Sequence, residues 1–250
     1  MPTSEIVFFR NFFALALLLP WLFQAGIARV KTQRIELHLL RAALGVSAMG
    51  CLFYAWGALS LAQAALLKQT SPFFIPLIAL FWLGEKLRKR VIFALLIGFV
   101  GVFTILNPQE GSLQLAVLVA LAGAFISAFA KVTIRKMGQT EDAKTIVFYF
   151  SLFASVLSLV PAVYFWRTSS VQALLWLALL ALSSTVAQLL MSRAYKLSKA
   201  GLLAPFTYAS VAYAALLGWL FWAEPLSATT LVGMLLICGA GVLTLSGVKR

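Results

Sequence analysis

Residues 6–20 read IVFFRNFFALALLLP, and residues 146–161 read IVFYFSLFASVLSLVP. Each belongs to an apolar run long enough, or nearly so, to cross a hydrocarbon core, which needs about 20 helical residues. Two further pairs repeat the same spacing. GEKL at residues 84–87 is echoed by AEPL at 223–226, and GVFT at 101–104 by GVLT at 241–244. The offsets are 140, 139 and 140 residues, so the chain is an internal duplication.

Composition fixes the solvent. Apolar residues fill 62% of the 250 positions and charged residues only 11%. A soluble fold of this size could not hide so much apolar surface behind a wettable exterior. Nine runs read as membrane-spanning helices: Ile6–Phe23, Leu39–Leu59, Ala62–Leu83, Val91–Leu106, Leu113–Thr133, Thr145–Trp166, Val171–Met191, Ala200–Ala223 and Thr229–Ser246. The fold class expected is therefore an all-α integral membrane protein of about nine transmembrane helices in a lipid bilayer. Cys51 and Cys238 both lie inside apolar runs without metal-ligand spacing or a disulfide framework, which leaves them as small packing residues.

Twenty Lys and Arg oppose seven acids, for a net charge of +13. On a soluble domain that excess would point to nucleic acid. Here the cations fall in short clusters between apolar runs, and no nucleic-acid partner is expected. With Met1 outside, seventeen of the twenty fall at alternate, inside loops. These are Arg29, Lys31, Arg34 and Arg41; Lys86, Arg88, Lys89 and Arg90; Lys131, Arg135, Lys136 and Lys144; Arg193, Lys196 and Lys199; and Lys249 and Arg250. Only Arg167 lies in an outside loop, while Arg10 and Lys68 lie within apolar runs. That alternation is the positive-inside pattern, and it predicts a multi-pass protein of the cell inner membrane with a cytoplasmic C-terminus.

A shift of about 140 residues carries the basic Gly84–Arg90 loop onto the segment Ala223–Ala228, which has no Lys or Arg and falls on the opposite side. The halves are thus inverted repeats, residues 1–107 and residues 108–250. Inverted repeats are the hallmark of alternating-access transporters, whose site lies between the repeats near the bilayer midplane. The helix at Leu113–Thr133 has no partner in the first half, since subtracting 140 passes residue 1. The arrangement reads as 4+5 helices derived from a 5+5 ancestor, through a late start or a true truncation.

These residues resemble the EamA-type transporters of the drug/metabolite transporter superfamily. The likeness rests on Glu5 and Arg10 opening the first helix, Ser71-Pro72 in the third, Gly84-Glu85-Lys86-Leu87 with its echo Ala223-Glu224-Pro225-Leu226, and the two GV(F/L)T helices. The resemblance implies ten helices around a central cavity and transport of small metabolites such as amino acids, organic anions or nucleotide-like compounds. The same scaffold would serve a lipid or lipid-linked sugar flippase, and an inactive truncated transporter is a further alternative. The expected partners are a small-molecule substrate and lipid, with a homodimer compatible with both. With one histidine and no buried acid or paired carboxylates, no enzyme activity, cofactor or metal is expected.

Candidate cavity residues follow from polar groups at membrane depth. Lys68, Gln69 and Thr70 form a polar patch ahead of Pro72 and Pro76, and an intramembrane cation is costly unless paired, hydrated or snorkelling. The repeat-related helix carries Pro205, Thr207 and Tyr208 near its own start. Two inverted, proline-broken, polar helices point to a binding site. Arg10, Asn11, Tyr54, Gln188 and Ser192 are further candidates to line a cavity or to bond between helices. Should Lys68 and Arg10 both face the cavity, the substrate would carry a carboxylate or phosphate. Glu85 and Glu224 read as turn and cap residues, and His38 as an interfacial one. Gly98 with Gly101, and Gly239 with Gly241, read as sites of close helix approach. With no acid deep in a span, facilitated diffusion or exchange is expected over proton antiport.

Overall fold

The computed structural model describes residues 2–26, 30–59, 61–86, 88–106, 115–167, 170–223 and 227–245. Leu87 and Glu224–Leu226, which carry part of the GEKL/AEPL echo and the expected cap at Glu224, lie outside the described residues, as do the cations Arg29, Lys249 and Arg250.

Among the described residues the chain is helical and has no strand. In order come α1 (Thr3–Ala25), α2 (Ile35–Ala58), α3 (Leu61–Lys68), α4 (Ser71–Leu83), α5 (Lys89–Leu106) and α6 (Leu115–Met137). They are followed by α7 (Ala143–Tyr164), α8 (Val171–Leu197), α9 (Ala200–Leu203), a 3-10 turn (Ala204–Tyr208), α10 (Ala209–Trp222) and α11 (Ala228–Leu245). With α3–α4 counted together, and α9–α10 likewise, eight segments are long and apolar enough to span a membrane, and Ala228–Thr244 is a shorter ninth. These match the nine expected runs to within a few residues at most ends. Nine cations assigned to inside loops stand within helices instead, most of them in the end turns of α5, α6, α7 and α8; Arg41 in α2 and Lys131 in α6 lie deepest, each six residues from a helix end.

The surface shows why lipid is the solvent. On α5 the residues Ile92, Leu96, Val100 and Phe103 are exposed, while Ala94, Gly98 and Gly101 are buried. Large apolar side chains outward with small ones inward invert the soluble pattern, and they suit helices that gain from close backbone contact rather than from exclusion of water. Alanine supplies much of the core for the same reason, including Ala79, Ala120, Ala124, Ala154 and Ala181.

By packing, the chain divides into two compact units, Met1–Ser47 with Thr133–Leu197 and Ala48–Val132 with Ser198–Arg250. Each takes segments from both sequence repeats. In the first unit α1 packs along α7 and α8. The Glu5 carboxylate accepts the Arg167 N–H, the Phe9 ring lies 5.5 Å from that of Trp166, and Leu18 packs with Val147 and Phe148. Positions rising along α1 therefore meet positions falling along α7, so these repeat mates run antiparallel. In the second unit α5 packs along α11. Gly98 neighbours Ala240, Gly101 neighbours Ile237, Leu236 and Gly233, and Gly233 neighbours Ile105. This second pair of repeat mates is antiparallel as well, which is the inverted duplication realised in space.

The α5–α11 crossing depends on two glycines. A Cβ on Gly101 would sit 2.7 Å from the Gly233 carbonyl oxygen, and one on Gly233 would sit 2.6 Å from that of Gly101. Gly98 is equally tight, with a Cβ 2.4 Å from the Tyr208 ring. The expectation for the second repeat is corrected: Gly239 has nothing within 4 Å of a Cβ and Gly241 only ordinary contacts, whereas Gly233 carries the approach. Antiparallel pairing brings Gly101 to a register on α11 that differs from its sequence equivalent, so the repeat offset could not locate its partner.

Candidate substrate-binding residues

The second unit contains both interrupted helices. Between α3 and α4 the i→i−4 ladder ends after Gln69 and gives way to i→i−3 bonds from Thr70 and Phe73, around Pro72, which is buried at the first turn of α4 and has no donor to offer. The Thr70 hydroxyl donates to the Leu67 carbonyl at 2.6 Å and satisfies part of the end of α3. Across the duplication, Pro205 forces the chain into the 3-10 turn before α10. The two breaks are joined directly, since buried Gln69 donates through Nε2 to the Ser210 hydroxyl at 3.1 Å. Ser210 in turn donates to the Thr207 carbonyl at 2.8 Å. Such a bond between membrane helices contributes about 0.6 kcal/mol, enough to hold a register but not a fold.

Around this link stand groups of uneven standing. Tyr208 is fully buried, its ring against Gly98 and its hydroxyl without a bonding partner among the described residues. Lys68, the last residue of α3, is exposed within the protein, with Nζ 5.8 Å from the Trp56 ring. Tyr54 is half-exposed on α2. Lys131, which sequence reasoning placed in a loop, reaches from α6 to the Ser71 hydroxyl at the start of α4, 3.5 Å away. Its position six residues before the end of α6 was visible in the chain, but only folding sets it beside the break. Glu85 is a cap, though of another repeat: its Oε2 accepts the Ala200 N–H at 2.8 Å and so satisfies the start of α9. An apolar recess of about 350 Å³ lies between α10 and α11, lined by Phe206, Tyr213, Leu216, Met234 and Val242 among others.

The first unit holds the remaining candidates. Asn11 is buried but spends its amide on the Val7 carbonyl of its own helix, at 2.9 Å. Arg10 donates through Nε to the Ser184 hydroxyl at 3.3 Å. Gln188, one turn further along α8, accepts from the Arg41 guanidinium at 3.2 Å. Arg41 was missed: its place near the start of an apolar run read as a loop cation, yet it is only 5% exposed and stacks 4.0 Å over the Phe150 ring. His38 is corrected as well. It does stand in the first turn of α2, but it is fully buried against Tyr149, ring centroids 4.5 Å apart, with neither nitrogen bonded among the described residues.

Thus Arg10 and Gln188 meet around a shared face of α8 in one unit, while Gln69, Thr70, Pro72, Thr207 and Tyr208 gather at the paired breaks of the other. Lys68 and Tyr54 lie nearer that second group but bond to none of it.

Helices of this number, inverted pairing and paired breaks define a class of membrane carrier, and residues 1–107 and 114–246 match the EamA-like transporter family, to which the chain belongs. Among its relatives is the pseudopaline exporter CntI of Pseudomonas aeruginosa, 34% identical over all of this chain and 88% of that protein. A riboflavin transporter of Vibrio cholerae is 29% identical over 90% of this chain and 77% of its own length. An S-adenosylmethionine uptake transporter of Rickettsia felis is 26% identical over 98% of this chain and 84% of its own. A solved crystal structure superposes with a TM-score of 0.84 over 98% of this chain and 89% of its own, at 20% identity, and so shares the fold.

Proposed function

We propose that the protein is a secondary transporter that moves a small metabolite across a bacterial inner membrane by alternating access, with its C-terminus in the cytoplasm. The observation that carries this reading is the pair of inverted, interrupted helices tied together by Gln69 and Ser210. Broken helices free backbone groups and side-chain dipoles at membrane depth, where they can replace the hydration shell of a substrate. The relatives named above are an exporter of pseudopaline, a transporter of riboflavin and an uptake transporter of S-adenosylmethionine. Their spread supports a small-molecule substrate and leaves its class among amino acids, organic anions and nucleotide-like compounds. The residues assigned to substrate contact are Lys68, Gln69, Thr70, Pro72, Tyr54, Thr207 and Tyr208, with Arg10, Asn11 and Gln188. The two repeats, residues 1–107 and 108–250, would act as the inverted halves of the cycle.

Two experiments test the proposal. Single cysteines at residues 87 and 226 should be labelled from opposite sides of the membrane, and labelling from one side removes the inverted cycle. In liposomes, the protein should catalyse substrate counterflow without an imposed proton gradient, and Lys68→Met should abolish it while expression and folding stay intact. Concentrative movement driven by a pH gradient alone would replace the uncoupled mechanism with a proton-coupled one.

A second reading, a flippase for lipid or lipid-linked sugar, is favoured by the apolar recess between α10 and α11. Movement of a long-chain fluorescent lipid in place of soluble metabolites would select it.

A further inference from the structure

Arg41 lies in a space that the chain has cleared for it. It is the seventh residue of α2, so about 9 Å along the helix axis from its start. One turn later stands Gly45, where a Cβ would come within 2.7 Å of the Arg41 guanidinium nitrogen and within 2.7 Å of the Phe150 ring. Any other residue at 45 would push the guanidinium off the ring. A glycine inside an apolar helix is kept where something must approach the backbone closely. Here that something is the charged end of Arg41.

The charge so housed is incompletely satisfied. Its partners are the Gln188 amide oxygen at 3.2 Å and the Phe150 face at 4.0 Å, both neutral. Its Nε is buried and bonds to nothing among the described residues. No carboxylate among the described residues contacts it. A second guanidinium, that of Arg10, reaches the same helix, α8. Arg10 bonds to Ser184 and Arg41 to Gln188, positions four apart, hence on one face of α8 and about one turn from each other. One turn beyond Gln188 on that face, the buried Ser192 hydroxyl has no partner among the described residues, and three residues before Arg41 the same holds for both nitrogens of His38. Buried polar atoms are ordinarily paired, and an unpaired charge in an apolar setting is the most expensive exception. A row of donors with two converging guanidiniums is the arrangement that a bound oxyanion would complete, and arginine presents the planar fork that matches a carboxylate or phosphate.

We propose that Arg41 is a substrate-binding residue, that it acts with Arg10 on the Ser184–Gln188 face of α8, and that the transported molecule carries a carboxylate or phosphate which seats there. The proposal rests on the transport reading for its second half only; the anion site stands or falls by itself.

The test uses the full chain in nanodiscs of phosphatidylcholine, followed by thermal unfolding. Glutamate, citrate and inorganic phosphate are each compared with glutamine and chloride at matched ionic strength. An oxyanion at ten times its Kd should raise the midpoint by about 3–5 °C. Arg41→Met should lose that rise while unfolding, without ligand, at the same temperature as the parent protein or higher, because an uncompensated buried charge has been removed. Arg41→Lys, which keeps the charge but not the fork, should bind at least threefold more weakly. If Arg41→Met does not fold, the lysine variant decides alone: weakened binding supports the site, and unchanged binding overturns it. A rise that persists in Arg41→Met, or the absence of a rise with all three oxyanions, overturns it too. A rise that requires phosphatidylglycerol in the nanodisc assigns the cradle to a lipid headgroup and overturns the substrate claim. Anion binding without counterflow of any bound anion would remove the transport reading and keep the site.

Discussion

Replacing Gly101 by alanine adds one methyl group at the α5–α11 crossing, and the geometry sets what it must cost. The new Cβ would stand 2.7 Å from the Gly233 carbonyl oxygen, 3.0 Å from the Leu236 Cβ and 3.1 Å from the Ile237 Cγ1. Carbon and carbonyl oxygen settle at about 3.3–3.6 Å, so the helices must part by roughly 0.6–0.9 Å. A gap of that width forfeits about a quarter to a half of each contact's attraction, and overpacking of this kind costs about 1–3 kcal/mol. Alanine returns about 0.8–1 kcal/mol of helix propensity, leaving a net loss of about 1 kcal/mol. Gly239→Ala on α11 is the matched control, since nothing lies within 4 Å of its Cβ. It should gain the propensity without the clash. The two variants should therefore differ by about 2 kcal/mol, or about 4–8 °C in thermal midpoint, read by tryptophan fluorescence in detergent micelles. Equal midpoints for Gly101→Ala and Gly239→Ala would refute the close crossing, and with it the antiparallel register inferred for these repeat mates.

Other outcomes follow from single positions. Gly84 and Ala223, equivalent in the two repeats, both end helices in the left-handed region, at φ 66° and 53°. Ala223→Gly should raise the thermal midpoint by relieving about 1 kcal/mol of strain, whereas Gly84→Ala should lower it. Lys131→Met removes the cation beside Ser71 and should lower the rate of substrate counterflow at least tenfold with no loss of folded protein; an unchanged rate would place Lys131 outside the transport path. Gln69→Leu should leave α3 and α4 intact by circular dichroism but weaken coupling between the two broken helices. A double-mutant cycle with Ser210→Ala should return about 0.6 kcal/mol of interaction, and a value of zero would show that the two breaks act independently.

How much of this was legible beforehand can be traced residue by residue. The nine spans were readable because lipid cannot hydrogen-bond the backbone, so each crossing must be a long apolar helix and each turn must be polar. The inverted duplication was readable because sequence echoes keep their spacing, and the paired breaks because proline interrupts a helix wherever it falls. Charges near helix ends were not readable in the same way. Arg41, Lys131 and His38 each sit within two turns of an end, where a side chain that snorkels and one that turns inward have the same sequence position. Gly45 marks the inward choice for Arg41, but its meaning depends on the Phe150 ring arriving from a helix more than a hundred positions away.

The chain by itself therefore determined its solvent, its helix count, its inverted symmetry and the places where helices break, since all four are consequences of local composition and of repeated spacing. Tertiary structure alone decided that Gly233 rather than Gly239 meets the first repeat, that Glu85 caps the start of α9, and that Arg41 is a buried cation with an unspent donor. Those outcomes turn on distances between segments remote in sequence, and apolar periodicity says which residues leave water without saying which of them meet.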